Sequence, residues 1–116
     1  MNIMTKGTGF ELTPAISEYI DEKVGGLTKY LASMDNSAVE ARVEVGKTTE
    51  HHHKGNIFRA EVNLKLTGHL LRAEHESDDV YAAIDKVHDE LKRQIVSLKE
   101  KMIDKRRRGH EEEGAV

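Results

Sequence analysis

Val80, Ile84, Val87, Leu91, Ile95, Leu98 and Met102 form a single apolar stripe, and no proline or glycine interrupts the chain between them and Gly109. Residues spaced by three and four share one face of an α-helix. About 28 residues in that form would reach about 42 Å. That is longer than the core of one domain built from 116 residues, so the first turns must cover a partner surface and the last ones project beyond it. Ser77-Asp78-Asp79 supplies a capping hydroxyl and two carboxylates at the positive end of the helix dipole.

A sheet is the surface the helix needs, and the preceding chain reads as one. Val39, Ala41, Val43 and Val45 alternate with Glu40, Arg42 and Glu44; Phe58, Ala60, Val62, Leu64 and Leu66 alternate with Arg59, Glu61, Asn63 and Lys65. Each run buries one face. Thr67-Gly68 is a tight turn into a further strand over 69–75, with Leu71 and Ala73 inward, and residues 1–8 read as a short first strand ended by Gly7. Thr13 and Pro14 open another helix as N-cap and first helical residue. Its stripe is Ile16, Ile20, Val24, Leu27 and Leu31, weakened by Gly25-Gly26 at roughly 1 kcal/mol per glycine. Asp35-Asn36-Ser37 reads as a turn and 46–55 as a polar loop. The expected fold is α+β, in the order β-α-β-β-β-α, with both helices packed on one face of a four-stranded sheet. Residues 1–105 form the single domain, and 106–116 a charged, flexible tail.

Only 4% of residues are aromatic and none is cysteine. Aliphatic side chains must therefore build the core, and disulfides, thiolate metal sites and cysteine nucleophiles are excluded. No apolar run reaches the roughly 20 residues that cross a bilayer. Without a signal-like N-terminus either, the expected compartment is the cytoplasm. No catalytic constellation assembles. Gly7-Thr8-Gly9 lacks the setting of a phosphate loop, and Asp78-Asp79 and Asp85/Asp89 are accounted for by capping and an exposed outward ridge. His51-His52-His53 in an extended loop point alternately and do not converge on one metal ion. Neither a metal, a cofactor nor a small-molecule substrate is expected.

Charge distribution says more than the net value of −3. From 80 to 108 the second helix carries nine basic residues against five acidic ones. Lys92, Lys99 and Arg106 line one flank with His88 and Tyr81, while Lys86 and Arg93 lie on the other. Flanking cations on a rod can meet a phosphate backbone at several points. They can also be a solvated face of intrahelical ion pairs, and in a net acidic chain the pattern alone favours that reading.

Several segments resemble the ribosome hibernation promoting factor and ribosome-associated inhibitor family, also called sigma-54 modulation proteins. They are Phe10-Glu11-Leu12-Thr13-Pro14-Ala15-Ile16, Leu27 to Tyr30, and above all Ala73-Glu74-His75-Glu76-Ser77-Asp78-Asp79-Val80-Tyr81-Ala82-Ala83-Ile84-Asp85, continuing as Leu91-Lys92-Arg93-Gln94-Ile95. The resemblance covers residues 1 to about 105 and implies the same fold. It also implies a non-enzymatic cytoplasmic factor that occupies the bacterial small ribosomal subunit where mRNA and tRNA sit, stopping translation during starvation or stress. Basic side chains on both helices would contact rRNA, and Lys23, Lys92, Arg93, Lys99 and Lys101 occupy matching or adjacent positions. The resemblance thus favours phosphate contact for the helix charges. Gly26 and Glu90 stand where the family frequently has lysine, with Lys29 and Lys86 as candidate substitutes. The chain resembles short members, which lack the second domain that pairs ribosomes, and a monomer off the ribosome is expected. The competing reading is a protein-interaction module, docking a regulatory partner on the open sheet face or the projecting helix.

Overall fold

The computed structural model describes residues 1–31, 38–48 and 55–114, apart from the side chains of 106 and 108–114. The expected turn at 35–37 and the histidines 51–53 lie outside them. The elements are β1 (Asn2–Thr8), α1 (Pro14–Gly25), a 3₁₀ helix (Gly26–Leu31), β2 (Glu40–Thr48), β3 (Ile57–Leu66), β4 (His69–Ser77) and α2 (Val80–Gly114). This is the α+β fold expected, in the expected order.

The four strands lie side by side as β1-β2-β3-β4. β2, β3 and β4 form an antiparallel meander, and β1 joins its edge parallel to β2. A parallel neighbour cannot be reached by a hairpin, so α1 and the 3₁₀ helix serve as the crossover. The registers Ile3↔Ala41, Val43↔Val62 and Val62↔Ala73 put the alternating apolar residues of every strand on one face. Ile20, Leu27, Leu31, Leu91 and Ile95 of the helical layer meet them there, each completely buried. The β3–β4 hairpin closes through two residues, with Gly68 at φ 77°.

Thr13 and Pro14 begin α1 as expected, the Thr13 hydroxyl accepting the Ile16 N–H at 3.2 Å. Gly25-Gly26 does more than weaken the helix: α geometry gives way there to the 3₁₀ turn, and the Thr28 hydroxyl donates to the Gly25 carbonyl at 2.9 Å. β1 runs through Gly7 to Thr8. At α2 the cap is Asp79 rather than Ser77: its carboxylate accepts the Tyr81 N–H at 3.1 Å, and the Ser77 hydroxyl accepts the Asp79 N–H at 3.4 Å. α2 is also longer than the 28 residues expected. It holds 35 and passes through Gly109, because a lone glycine costs only about 1 kcal/mol and blocks no hydrogen bond. Its last fully buried residue is Ile95. The later turns extend past the core, and the molecule measures 65 × 30 × 17 Å.

Candidate nucleic-acid interface

The two faces of the molecule handle charge differently. On the open face of the sheet the strand registers align five acidic residues with five basic ones. Arg59 reaches Glu61 at 3.0 Å, Glu74 at 3.1 Å and Glu44 at 3.3 Å, while Arg72 reaches Glu74 at 2.9 Å and Glu61 at 3.2 Å. Asn63 donates to Glu61 at 2.9 Å. That bond, with the Arg72 and Arg59 guanidiniums, holds the Glu61 carboxyl below its ordinary value of 4.5 against the opposing effect of burial. The Arg59 guanidinium is raised in turn by its bond to Glu74. Two of the three arginines on this face, Arg59 and Arg72, are thus held by its own carboxylates, while Arg42 makes no salt bridge among the described residues.

The helical layer leaves more of its cations available. Among the described residues, Lys92, Arg93, Lys99 and Lys101 make no salt bridge. Lys92, Arg93 and Lys101 are exposed and Lys99 half-buried. α2 divides them as its periodicity predicts, with Lys92 and Lys99 on the flank facing α1 and the 3₁₀ helix, Arg93 and Lys101 on the flank above β4. The side chain of Arg106 lies outside the described set.

The seam between α1, the 3₁₀ helix and α2 holds all three tyrosines of the chain. At one end, Tyr19 donates a short hydrogen bond to the Asp85 carboxylate and meets the Tyr81 ring edge-on, with centroids 5.0 Å apart. The bond to Asp85, burial, and the negative charges of Asp85, Glu22 and Asp79 push the Tyr19 phenol up to about 12. At the other end, Lys29 and Lys92 place their ammoniums 5.1 and 5.3 Å from the centroid of the Tyr30 ring. Burial pushes the Tyr30 phenol up, but hydrogen bonding and charge from Lys92 and Lys29 outweigh it and hold the phenol below its ordinary value of 10.0. Two phenols in one seam thus sit in fields of opposite sign. The seam is acidic at its Tyr19 end and basic at its Tyr30 end.

The seven candidate cations are not one cluster. Lys29 and Lys92 converge on Tyr30, and Lys99 follows on the same flank of α2. Lys23 is drawn to the acidic end, 3.7 Å from Asp85 and 5.6 Å from the Tyr19 ring. Asp85 therefore faces α1 and not the outward ridge assigned to it, because the Tyr19 hydroxyl and the Lys23 ammonium offer it partners across the seam. Lys86 turns to the opposite flank and donates to the Glu76 carbonyl of β4 at 3.3 Å, beside Gln94, which donates to the Arg72 carbonyl at 2.9 Å. Arg93 and Lys101 border a shallow groove over Leu71 and Leu98. Glu90, at a position where the resembling family frequently has lysine, points to β4 with Oε2 3.2 Å from His75 Nε2. The residue missed by sequence reasoning is Tyr30. Its signals were adjacency to Lys29 and its place in the resembling segment Leu27 to Tyr30, but a helical wheel drawn for α2 alone cannot show what the neighbouring element contributes.

Among the described residues no group of three or more His, Cys, Asp or Glu could hold a metal ion, and no helix is long and apolar enough to cross a membrane.

A sequence profile described as sigma 54 modulation protein / S30EA ribosomal protein matches residues 3–103. The ribosome hibernation promotion factor of Deinococcus radiodurans is 33% identical over 106 residues, covering 91% of this chain and 53% of that protein. The factor of the same name from Staphylococcus aureus is 33% identical over 107 residues, with the same coverage. The chain spans about half the length of these curated relatives. The crystal structure of the Thermus thermophilus Protein Y N-terminal domain superposes with a TM-score of 0.66 at 33% identity, over 82% of this chain and 96% of that one. A ribosomal subunit interface protein from Coxiella burnetii shares the fold, with a TM-score of 0.58 at 23% identity over 85% and 98% of the two chains. With its profile match spanning the strands and both helices, the chain belongs to the sigma 54 modulation protein / S30EA ribosomal protein family.

Proposed function

We propose that this chain is a ribosome hibernation factor. It lays the basic part of its helical layer on rRNA of the small ribosomal subunit near the mRNA and tRNA sites, and it stops translation during starvation or stress. It acts in the cytoplasm by binding, without catalysis or cofactor, and is a monomer off the ribosome. The relatives named ribosome hibernation promotion factor support the role. The observation that carries the choice of surface is the contrast between faces. The open sheet face carries as many carboxylates as cations and pairs Arg59 and Arg72 with them, whereas Lys92, Arg93, Lys99 and Lys101 have no carboxylate partner among the described residues. A polyanion gains most where cations need not first be taken from internal partners. Lys23 and Lys86, engaged with Asp85 and Glu76, are secondary contacts, and Lys29 belongs with Lys92.

Cosedimentation with purified small subunits tests the proposal. With about three phosphates neutralised, affinity falls roughly 20- to 40-fold between about 50 and 200 mM salt. Reversing Lys92, Arg93 and Lys99 to Glu together releases the protein while its far-UV circular dichroism and melting curve stay those of the parent, since none of the three belongs to the core. A folded triple variant that cosediments normally refutes the assignment of this surface.

A further inference from the structure

Lys29 and Lys92 come from different elements, yet both ammoniums lie within 5.3 Å of the centroid of one ring, Tyr30. Like charges gathered at one phenol repel each other, and a surface lysine stem has the rotamer freedom to swing away. Among the described residues no carboxylate makes a salt bridge to either ammonium. The phenol completes a set of donors. Its oxygen can accept from an ammonium while its own O–H remains free to donate. Two positive charges and a hydroxyl donor converging from two sides match what a tetrahedral oxyanion requires.

We propose that Lys29, Tyr30 and Lys92 form a binding site for a single phosphate group, in which the two ammoniums bracket the anion and the Tyr30 hydroxyl donates to one of its oxygens. The site deepens the RNA-binding reading and rests on it for its natural occupant, a phosphodiester of unpaired RNA; free phosphate shares the chemistry. The opposite end of the seam cannot serve. There Asp85 already accepts from Tyr19 and sits beside Lys23, and a phosphate would meet the carboxylates of Asp85, Glu22 and Asp79. The lowered Tyr30 phenol agrees with this placement, since the field that stabilises a phenolate also stabilises a bound phosphate.

The tyrosine ring is its own reporter. In protein labelled at tyrosine, the Tyr30 ring resonances are followed by NMR during titration with sodium phosphate, with sodium chloride at matched ionic strength as control, and separately with a short single-stranded oligoribonucleotide. Tyr19 in the same molecule is the internal reference. Phosphate is expected to shift Tyr30 saturably, leave Tyr19 still, and raise the Tyr30 phenol pKa as the anion offsets the ammoniums. Lys29→Gln and Lys92→Gln each weaken the response at least tenfold, and Tyr30→Phe, which keeps the ring and removes the donor, weakens binding as read at the Lys92 side-chain resonances. An oligoribonucleotide that binds at least tenfold more tightly than phosphate supports RNA as the occupant, and equal affinity overturns that part. If neither probe moves Tyr30 beyond the chloride control, or if the lysine variants respond as the parent does, there is no such site. Cosedimentation of the same variants separates the two readings: a protein whose Tyr30 ignores phosphate but which still cosediments with steep salt dependence refutes the site and leaves the ribosome reading standing.

Discussion

Two glycines show how differently one residue type is used. Gly9 holds φ at 77°, and a Cβ built there would lie 2.8 Å from the Lys47 carbonyl oxygen of β2. The Gly7-Thr8-Gly9 run is thus a close approach of backbone to backbone at the end of β1. Gly26 is the converse: its φ is −62°, and a Cβ added there would meet nothing within 4 Å. Gly9→Ala should therefore destabilise the protein by about 1–2 kcal/mol through left-handed strain alone, with the clash adding to it. Gly26→Ala should stabilise it by about 0.4–1 kcal/mol by reducing the freedom of the unfolded chain. Urea unfolding of the two variants checks both signs. The alternation and the stripes cannot tell these glycines apart, because what differs is the backbone angle at one and the space around the other.

At the scale of elements, the sheet is held on its open side by charge and on its inner side by burial. Glu61 is the hub of the open side, bonded to Asn63, Arg72 and Arg59. Its carboxyl titrates lower in the folded protein than its ordinary 4.5, so the ionised form favours folding. That contribution is complete above the unfolded value and is lost as pH falls through the lower, folded one. Glu61→Gln should accordingly cost stability at neutral pH, and the difference from the parent should close as pH drops below about 4. Thermal melts across an acid series measure it; a deficit that persists unchanged into acid would mean that packing, not charge, makes Glu61 matter. The alternation in β2, β3 and β4 assigned inward and outward positions correctly. Strand alternation alone is silent on which outward partners meet, since that depends on register.

Taken whole, the molecule is a small core with a rod attached. α2 has 35 residues, yet burial ends near Ile95, with Leu98 partly covered. We propose that the domain proper closes at about residue 105. Shortening the chain after Lys105 should leave the melting temperature within about 2 °C of the parent, while the proposed ribosome binding should weaken as Arg106, Arg107 and Arg108 are lost. A large drop in melting temperature would show that the removed turns support the core. The sequence by itself determined the element order, the inward faces, the start and cap of α1 and the projection of α2, because periodicity and caps are local properties of the chain. It also marked which helix positions are cationic. Only the tertiary structure decided that β1 lies at the edge parallel to β2, that Asp85 turns inward to Tyr19 and Lys23, and that Lys29 and Lys92 meet over Tyr30. Those arrangements join residues as many as 66 positions apart, and their geometry exists only once the helices share one face of the sheet.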